Sequence, residues 1–161
     1  MMEFHTLPQP EEITQQERED ATGAYLMMFA SAALGLPLPI INMISAIVYY
    51  FVNRSKGRFV RFHSLQSLYS QLPVTALNSV AVIWTIVNLV KDKPFTNIFW
   101  GFVIALAVLN IIYFIFSIIG AVKAHRGSFY YFLFFGRISY IQAYKKRDER
   151  VHENVNKPPK V

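Results

Sequence analysis

The sequence predicts an all-α membrane protein of four hydrophobic helices, with basic and aromatic segments at the membrane interface. Hydrophobic residues make up 53% of the 161 residues, more than an ordinary soluble domain contains. Residues 98–122 form a run of 25 residues without a charged side chain, which is long enough to cross a bilayer. Most of the bases cluster beside such apolar runs, as they do in membrane proteins at the cytosolic side.

Composition divides the chain into two polar ends and an apolar middle. We expect residues 1–13, which contain Pro8 and Pro10, to form a disordered tail. A helical membrane domain then covers residues 14–141, and residues 142–161 form a charged tail. No cleaved signal peptide is expected, because the acidic amino terminus lacks a basic segment ahead of an apolar core.

The first apolar region predicts two helices separated by a break. Thr14 and Glu17 have the spacing of a capping box, so a helix is expected from about residue 14 to 35. The apolar run 24–52 would measure ~43 Å as one helix and exceed a hydrocarbon core of ~30 Å. We therefore expect a second helix over about 40–53, and the pair forms either a hairpin dipping into or across the membrane or one kinked span. The residues that break the helix are Gly35, Pro37 and Pro39.

A basic loop over residues 54–61 precedes the longest predicted helix. Its four bases, with no acid among them, indicate the cytosolic side. The helix expected over about 59–90 would be ~48 Å long, so its first turns lie at the interface and Pro73 introduces a kink. The bases of the loop are Arg54, Lys56, Arg58 and Arg61.

The fourth helix and the segment after it complete the predicted topology. Residues 98–122 are expected to cross the membrane, and residues 123–141 to lie at the interface because their uncharged core is too short to cross. The protein is thus predicted to be multi-pass in the inner membrane, with loop 54–61 and the carboxyl terminus cytosolic. Three spans place the amino terminus outside and four place it inside, and both remain open.

A set of basic and polar side chains predicts a contact with lipid headgroups. Guanidinium groups bind phosphate through two hydrogen bonds, and an imidazole titrates near neutral pH. The alternative is ordinary interfacial anchoring by the same bases. The residues are Arg58, Arg61, His63, Gln66, Lys123 and Arg126.

A polar seam is predicted along the long helix, since its members recur at steps of three, four or seven. The seam either lines a water-filled or substrate-conducting groove, faced by Asn42 and Asn110, or forms hydrogen bonds to neighbouring helices. Its members are Ser67, Gln71, Thr75, Asn78, Thr85 and Asn88.

Catalytic, metal and nucleic-acid sites are not expected. The chain has no cysteine, and its four histidines are scattered without ligand spacing. The only nucleophile pairings, His63 with Ser64 or Ser67, lack an orienting acid. The bases lie beside membrane-length runs, where lipid headgroups are the nearer phosphates. We therefore expect no enzyme activity and no cofactor, and the expected partners are membrane lipids, further copies of the chain or other membrane proteins.

Three segments, GLPLP, FVRFHSLQS and AVKAHRGSFYY, together resemble the Tic-like family of small bacterial membrane proteins related to the channel-type subunit of the chloroplast inner-envelope import translocon. Two departures are Phe29, where the family often has a histidine, and the serines 64 and 67 in place of alanines. The positions that carry the resemblance are Gly35, Pro37, Pro39, Phe59, Arg61, Phe62, His63, Gln66, Lys123, Ala124, Gly127 and Tyr130.

The resemblance implies a four-helix membrane bundle with both termini in the cytosol. We predict from it a non-enzymatic integral membrane protein that is a structural or protein-translocation-associated subunit. The alternative is an anionic-lipid-binding membrane module that uses the basic cytosolic face.

Overall fold

The computed structural model describes residues 3–30 and 39–146. Within them the chain is helical, and its only extended pairing is one isolated bridge. The prediction of an all-α protein is thereby confirmed. The helices are α1 (Gln15–Leu26), α2 (Pro39–Asn53), α3 (Arg58–Val90), α4 (Asn97–His125) and α5 (Leu133–Tyr144), with 3-10 turns at Pro10–Glu12 and Met27–Phe29.

Helix α1 begins as the sequence predicted. The Thr14 hydroxyl accepts a hydrogen bond from the Glu17 amide at 3.2 Å, and the Glu17 carboxylate accepts one from the Thr14 amide at 3.1 Å. This capping box satisfies two amides that helix formation leaves unpaired. The regular α-helix stops at Leu26 and is followed directly by the 3-10 turn Met27–Phe29; residues 31–38 lie outside the described residues, so the end expected near residue 35 stays a prediction. Of the predicted helix breakers, Gly35 and Pro37 lie outside the described residues, and Pro39 begins α2.

The prediction of four hydrophobic helices is not confirmed. Two described helices, α3 and α4, are long and apolar enough to cross a membrane. Helix α2 is apolar but has only 15 residues, and the 12 residues of α1 read QQEREDATGAYL. The helix predicted over about 14–35 combined this polar segment with the apolar residues that follow it.

Helices α1 and α2 form an antiparallel hairpin. Near its open end, the Tyr49 hydroxyl donates to the Asp20 carbonyl at 2.8 Å, and Lys56 forms an ion pair with the Asp20 carboxylate at 3.0 Å. Towards the other end, Met28 and Pro39 line one cavity together. The hairpin therefore starts beside the basic loop, and its described residues extend along α3 as far as the middle of that helix.

Helix α3 is buried along its first half and exposed along its second. The residues from Phe59 to Gln71 pack mainly inside the protein, against α1, α2 and α5. Beyond Thr75 its large apolar side chains face outwards, including Ile83, Ile86 and Val90. The helix continues through Pro73 without interruption. We call the buried end, where α3 begins and α4 ends, the basal end.

Helix α4 runs antiparallel to α3 and returns the chain to the basal end. It terminates at Gly127, whose φ of +71° is the left-handed conformation that glycine adopts without strain. The Gly127 amide donates to the Ala124 carbonyl, and the Ser128 amide donates to the Lys123 carbonyl, each at 2.9 Å. These two bonds form a Schellman motif and cap the last carbonyls of α4.

The amino-terminal segment and α5 close the basal end. Phe4 forms a bridge with Lys145, and the His5 amide donates to the Tyr144 carbonyl at 2.9 Å. Ile13 is buried against α1 and α4. The structure describes the predicted amino-terminal tail from residue 3 onwards, and this segment contacts the helical body. The division of the chain at residues 14 and 141 stays a prediction. Residues 147–161 of the predicted charged tail lie outside the described residues.

Candidate functional site

Three buried polar side chains form the centre of the basal end. The Gln66 amide nitrogen donates to the Tyr25 hydroxyl at 2.7 Å, and that hydroxyl lies 2.9 Å from Nδ1 of His63. The Gln66 carbonyl oxygen accepts from the Phe132 amide at 3.1 Å. Because α1, α3 and the segment before α5 each contribute a group, this Tyr25–His63–Gln66 network ties three parts of the chain together.

Aromatic rings surround the imidazole of His63. The ring centroids of Phe59, Phe62 and Phe129 lie 4.5, 4.9 and 6.0 Å from that of His63. His63 and Gln66 are both 0% exposed. The structure therefore places these two of the six predicted headgroup residues in the protein interior, where packing and hydrogen bonding occupy them.

The other four predicted headgroup residues lie at the surface of the basal end, in two groups. Lys123 and Arg126 are exposed on the last turn of α4 and just after it, whereas Arg58 is exposed and Arg61 half-buried on the first turn of α3. Arg58 and Arg61 line an open cleft of about 530 Å³ with residues that the sequence analysis did not select, namely His5, Lys145 and Lys146.

The surroundings of His5 in this cleft lower its pKa. Partial desolvation, and then the positive charges of Arg58 and Lys146, lower the pKa of His5 below its ordinary value of 6.5. The imidazole is therefore mainly neutral at pH 7. No local sequence signal could have found this cleft, because its two sides come from opposite ends of the chain.

The polar seam of α3 divides into groups with different roles. Near the basal end, the Ser67 hydroxyl donates to the Ala24 carbonyl at 2.7 Å. The same hydroxyl accepts from the side-chain amide nitrogen of Gln71 at 3.4 Å. Near the opposite end, the Thr85 hydroxyl donates to the Ala81 carbonyl of its own helix, and Asn88 is buried.

A reciprocal amide pair joins the middles of α3 and α4. Asn78 Nδ2 donates to Asn110 Oδ1 at 3.1 Å, and Asn110 Nδ2 donates to Asn78 Oδ1 at 3.2 Å. Each amide nitrogen also donates to the carbonyl four residues earlier, at Val74 and Leu106, at 2.8 Å. Both hydrogens of each amide group are thus used.

A polar cavity of about 310 Å³ lies beside this pair. Gln71, Thr75 and Asn78 of the seam line it, and Asn42 and Asn110 line it from α2 and α4, as the groove hypothesis placed them. Among the described residues, no ionised side chain lines this cavity. Its chemistry therefore suits water or a neutral hydrogen-bonding group.

No cluster of three or more histidine, aspartate or glutamate side chains suited to a metal ion occurs among residues 3–30 and 39–146.

Comparison with known protein families matches residues 19–139 to the magnetosome magnetite crystal formation protein family. The chain belongs to this family. The match covers more than half of the chain and includes α2, α3 and α4 completely. Neither a curated protein nor a solved structure matches the chain.

Membership of the magnetosome family corrects the predicted resemblance to Tic-like import components, which is wrong. Two of the three segments that carried that resemblance have structural roles in this fold, and GLPLP lies outside the described residues except for Pro39. FVRFHSLQS supplies the interior of the basal end, and AVKAHRGSFYY contains the Schellman motif that terminates α4. Both meet packing and capping requirements, so neither identifies a transport function.

Proposed function

We propose that this chain is a non-enzymatic, multi-pass subunit of the magnetosome membrane that contributes to magnetite crystal formation. The family match over residues 19–139 carries the proposal, because it covers the helical body of the protein. The translocation role expected from sequence is not retained, since it depended on the resemblance that the family match replaces. A structural role in the membrane agrees with both the match and the fold.

The exposed apolar surface supports the membrane-spanning part of the proposal. Helices α3 and α4 would measure about 50 and 44 Å, enough to cross a hydrocarbon core of about 30 Å. Their outward-facing side chains away from the basal end are mostly apolar, including Ile83, Ile104 and Ile111. On this basis α3 and α4 cross the membrane, and the α1–α2 hairpin enters from the basal side without crossing.

The orientation follows from the bases. Arg54, Lys56 and Arg58 lie at the basal end, and Lys123 and Arg126 lie there too, because α3 and α4 are antiparallel. The excess of bases puts the basal end in the cytosol. The amino terminus is then cytosolic as well, since Glu3 pairs with Lys146 at this end.

Complementation tests the magnetite role. In a magnetite-forming bacterium that lacks its own family members, we expect this chain to restore crystal size, measured by electron microscopy. Ile111→Asp should abolish the restoration, because a carboxylate at the centre of a spanning helix costs about 3 kcal/mol on insertion. Ile111→Val is the matched control and should restore crystals fully. Unchanged crystals in cells whose membranes contain the chain would contradict the proposal.

Binding of anionic lipid at the basal surface is a second candidate function. It is favoured by the exposure of Lys123 and Arg126 at the basal end and by the outward-facing Leu133, Phe134 and Ile138 of α5, which suit an interfacial helix. In nanodiscs, Lys123→Gln/Arg126→Gln should reduce phosphatidylglycerol enrichment around the chain. Lys91→Gln/Lys93→Gln at the opposite end is the control. Equal enrichment in all three proteins would exclude this function.

A further inference from the structure

The cleft between the amino-terminal segment and α5 concentrates positive charge. Arg58 and Arg61 project from the first turn of α3, and Lys145 and Lys146 follow the end of α5. His5 completes the rim from a segment 140 residues away along the chain from Lys145. Holding four cations around one cleft is unfavourable without a compensating anion.

Acidic side chains lie near Arg58 and Lys146, since Arg58 also lines a neighbouring cavity with Glu12 and Glu17. Lys146 pairs with Glu3 at 3.3 Å, and both side chains are largely exposed, at 48% and 73%. An exposed pair of this kind contributes little. Among the described residues, no acid forms an ion pair with Arg58, Arg61 or Lys145.

Arg61 has a buried donor atom. Its Nε is buried and has no hydrogen-bond partner within the described part of the chain. Buried donors in native proteins are nearly always paired, and an unpaired one calls for an explanation. Guanidinium groups bind phosphate through two parallel N–H···O bonds.

We propose that this cleft binds a phosphate monoester or inorganic phosphate, with Arg61 and Lys145 as the principal contacts. A doubly charged, compact anion matches four cations better than a singly charged phosphodiester does. Arg61 supplies guanidinium donors, and Lys145 supplies a second positive charge at the same cleft. The cleft volume of about 530 Å³ lies within the range of small-molecule sites, about 300–1,000 Å³. The inference does not depend on the magnetite proposal.

The ligand has two possible sources, a lipid headgroup such as phosphatidate or free phosphate. The full-length chain, purified in a neutral detergent, is titrated with inorganic phosphate while ionic strength is kept constant with chloride, and thermal unfolding is recorded. In parallel, the chain in nanodiscs is compared between phosphatidate and phosphatidylglycerol at matched surface charge. We expect saturable stabilisation, because a ligand that binds only the folded state raises its unfolding temperature.

Variants assign the effect to the cleft. Arg61→Gln and Lys145→Gln should each weaken phosphate or phosphatidate binding at least tenfold, and Arg61→Lys should restore only part of the affinity. Lys91→Gln, at the opposite end of the molecule, should change it less than twofold. Lys145 is exposed, so its variant remains informative even if an Arg61 variant does not fold.

Each outcome decides the inference. Saturable binding of inorganic phosphate supports it with free phosphate as the source. A preference for phosphatidate without binding of inorganic phosphate supports it with lipid as the source. Absence of phosphate binding together with equal response to phosphatidate and phosphatidylglycerol would overturn it, and so would an equal loss in Lys91→Gln.

Discussion

At the scale of single residues, Gln66 satisfies groups from two other segments at once. Its side-chain amide nitrogen donates to the Tyr25 hydroxyl, and its side-chain oxygen accepts from the Phe132 backbone amide. Both hydrogen bonds are buried. Sequence spacing placed Gln66 and His63 near the interface but could not show which face of α3 turns inwards. That face is determined by Tyr25, which lies 41 residues before Gln66 in the chain.

Replacing Gln66 should lower the stability of the folded protein. Gln66→Ala leaves the Phe132 amide buried without an acceptor, so we expect a loss of about 1–3 kcal/mol in the free energy of unfolding. Thermal unfolding of the purified chain in detergent measures the change. Gln16→Ala, on the exposed side of α1, is the control and should stay within about 0.5 kcal/mol of the parent. A Gln66 variant as stable as the control would contradict the role of the network.

Two glycines of α4, Gly120 and Gly101, differ in the space beside their Cα atoms, so alanine substitutions at them can be compared. A Cβ added at Gly120 would lie 2.7 Å from Cε1 of Tyr25, whereas one added at Gly101 would meet nothing within 4 Å. Tyr25 is held by its hydrogen bonds and cannot move aside cheaply. We expect Gly120→Ala to destabilise the protein by about 1–3 kcal/mol. Gly101→Ala should be neutral or stabilising by up to about 1 kcal/mol, because alanine favours a helix. Equal unfolding temperatures for the two variants would show that the contact is not tight.

At the scale of helices, the sequence predicted α3 and α4 well and α1 less well. Long uncharged runs are local signals, so the beginning of α3 near Phe59 and the extent of α4 followed directly from them. The end of α1 depends on where polar residues give way to apolar ones next to the break, and a hydropathy pattern does not separate two adjoining helical segments. Predicting that Asn78 pairs with Asn110 would also have required the register of the α3–α4 hairpin.

This amide pair should couple the two helices energetically. In a double-mutant cycle, Asn78→Ala and Asn110→Ala should show an interaction free energy of about 0.6 kcal/mol, and at most about 1.7 kcal/mol. Unfolding in mixed detergent micelles provides the measurement. Thr85→Ala combined with Asn110→Ala is the control cycle, because Thr85 bonds only to its own helix, and it should be additive within error. Additivity in the Asn78–Asn110 cycle would exclude coupling.

At the scale of the whole molecule, the basic loop, the amino-terminal segment and the end of α5 meet at one end. The charge pattern predicted the side of the loop, but left the side of the amino terminus open. The contacts of Phe4 with Tyr140 and of Glu3 with Lys146 join positions more than 130 residues apart. Such long-range pairs leave no periodic signal in one sequence, so the cleft they create could not be predicted.

Labelling tests the proposed topology, and the absence of cysteine makes it simple. Single variants Glu3→Cys, Ser55→Cys and Lys93→Cys are treated in intact cells with a membrane-impermeant maleimide. We expect only Lys93→Cys to react from outside, because the other two lie at the basal, cytosolic end. Each is then labelled after lysis to confirm that the thiol is accessible. External reaction of Glu3→Cys would instead support an odd number of crossings.

The unequal ends of the molecule have a consequence for the shape of the bilayer around it. Helices α1, α2 and α5 all pack against the basal half of α3, and α1 also packs against α4, whereas beyond the Asn78–Asn110 pair the described residues comprise only the two-helix hairpin. With the orientation proposed above, the described part of the chain takes up more area in the cytosolic leaflet than in the opposite one. Its lateral area therefore matches a membrane that bulges into the cytosol, as the wall of a small internal vesicle does. We expect the chain to partition preferentially into small reconstituted vesicles with its basal end outwards.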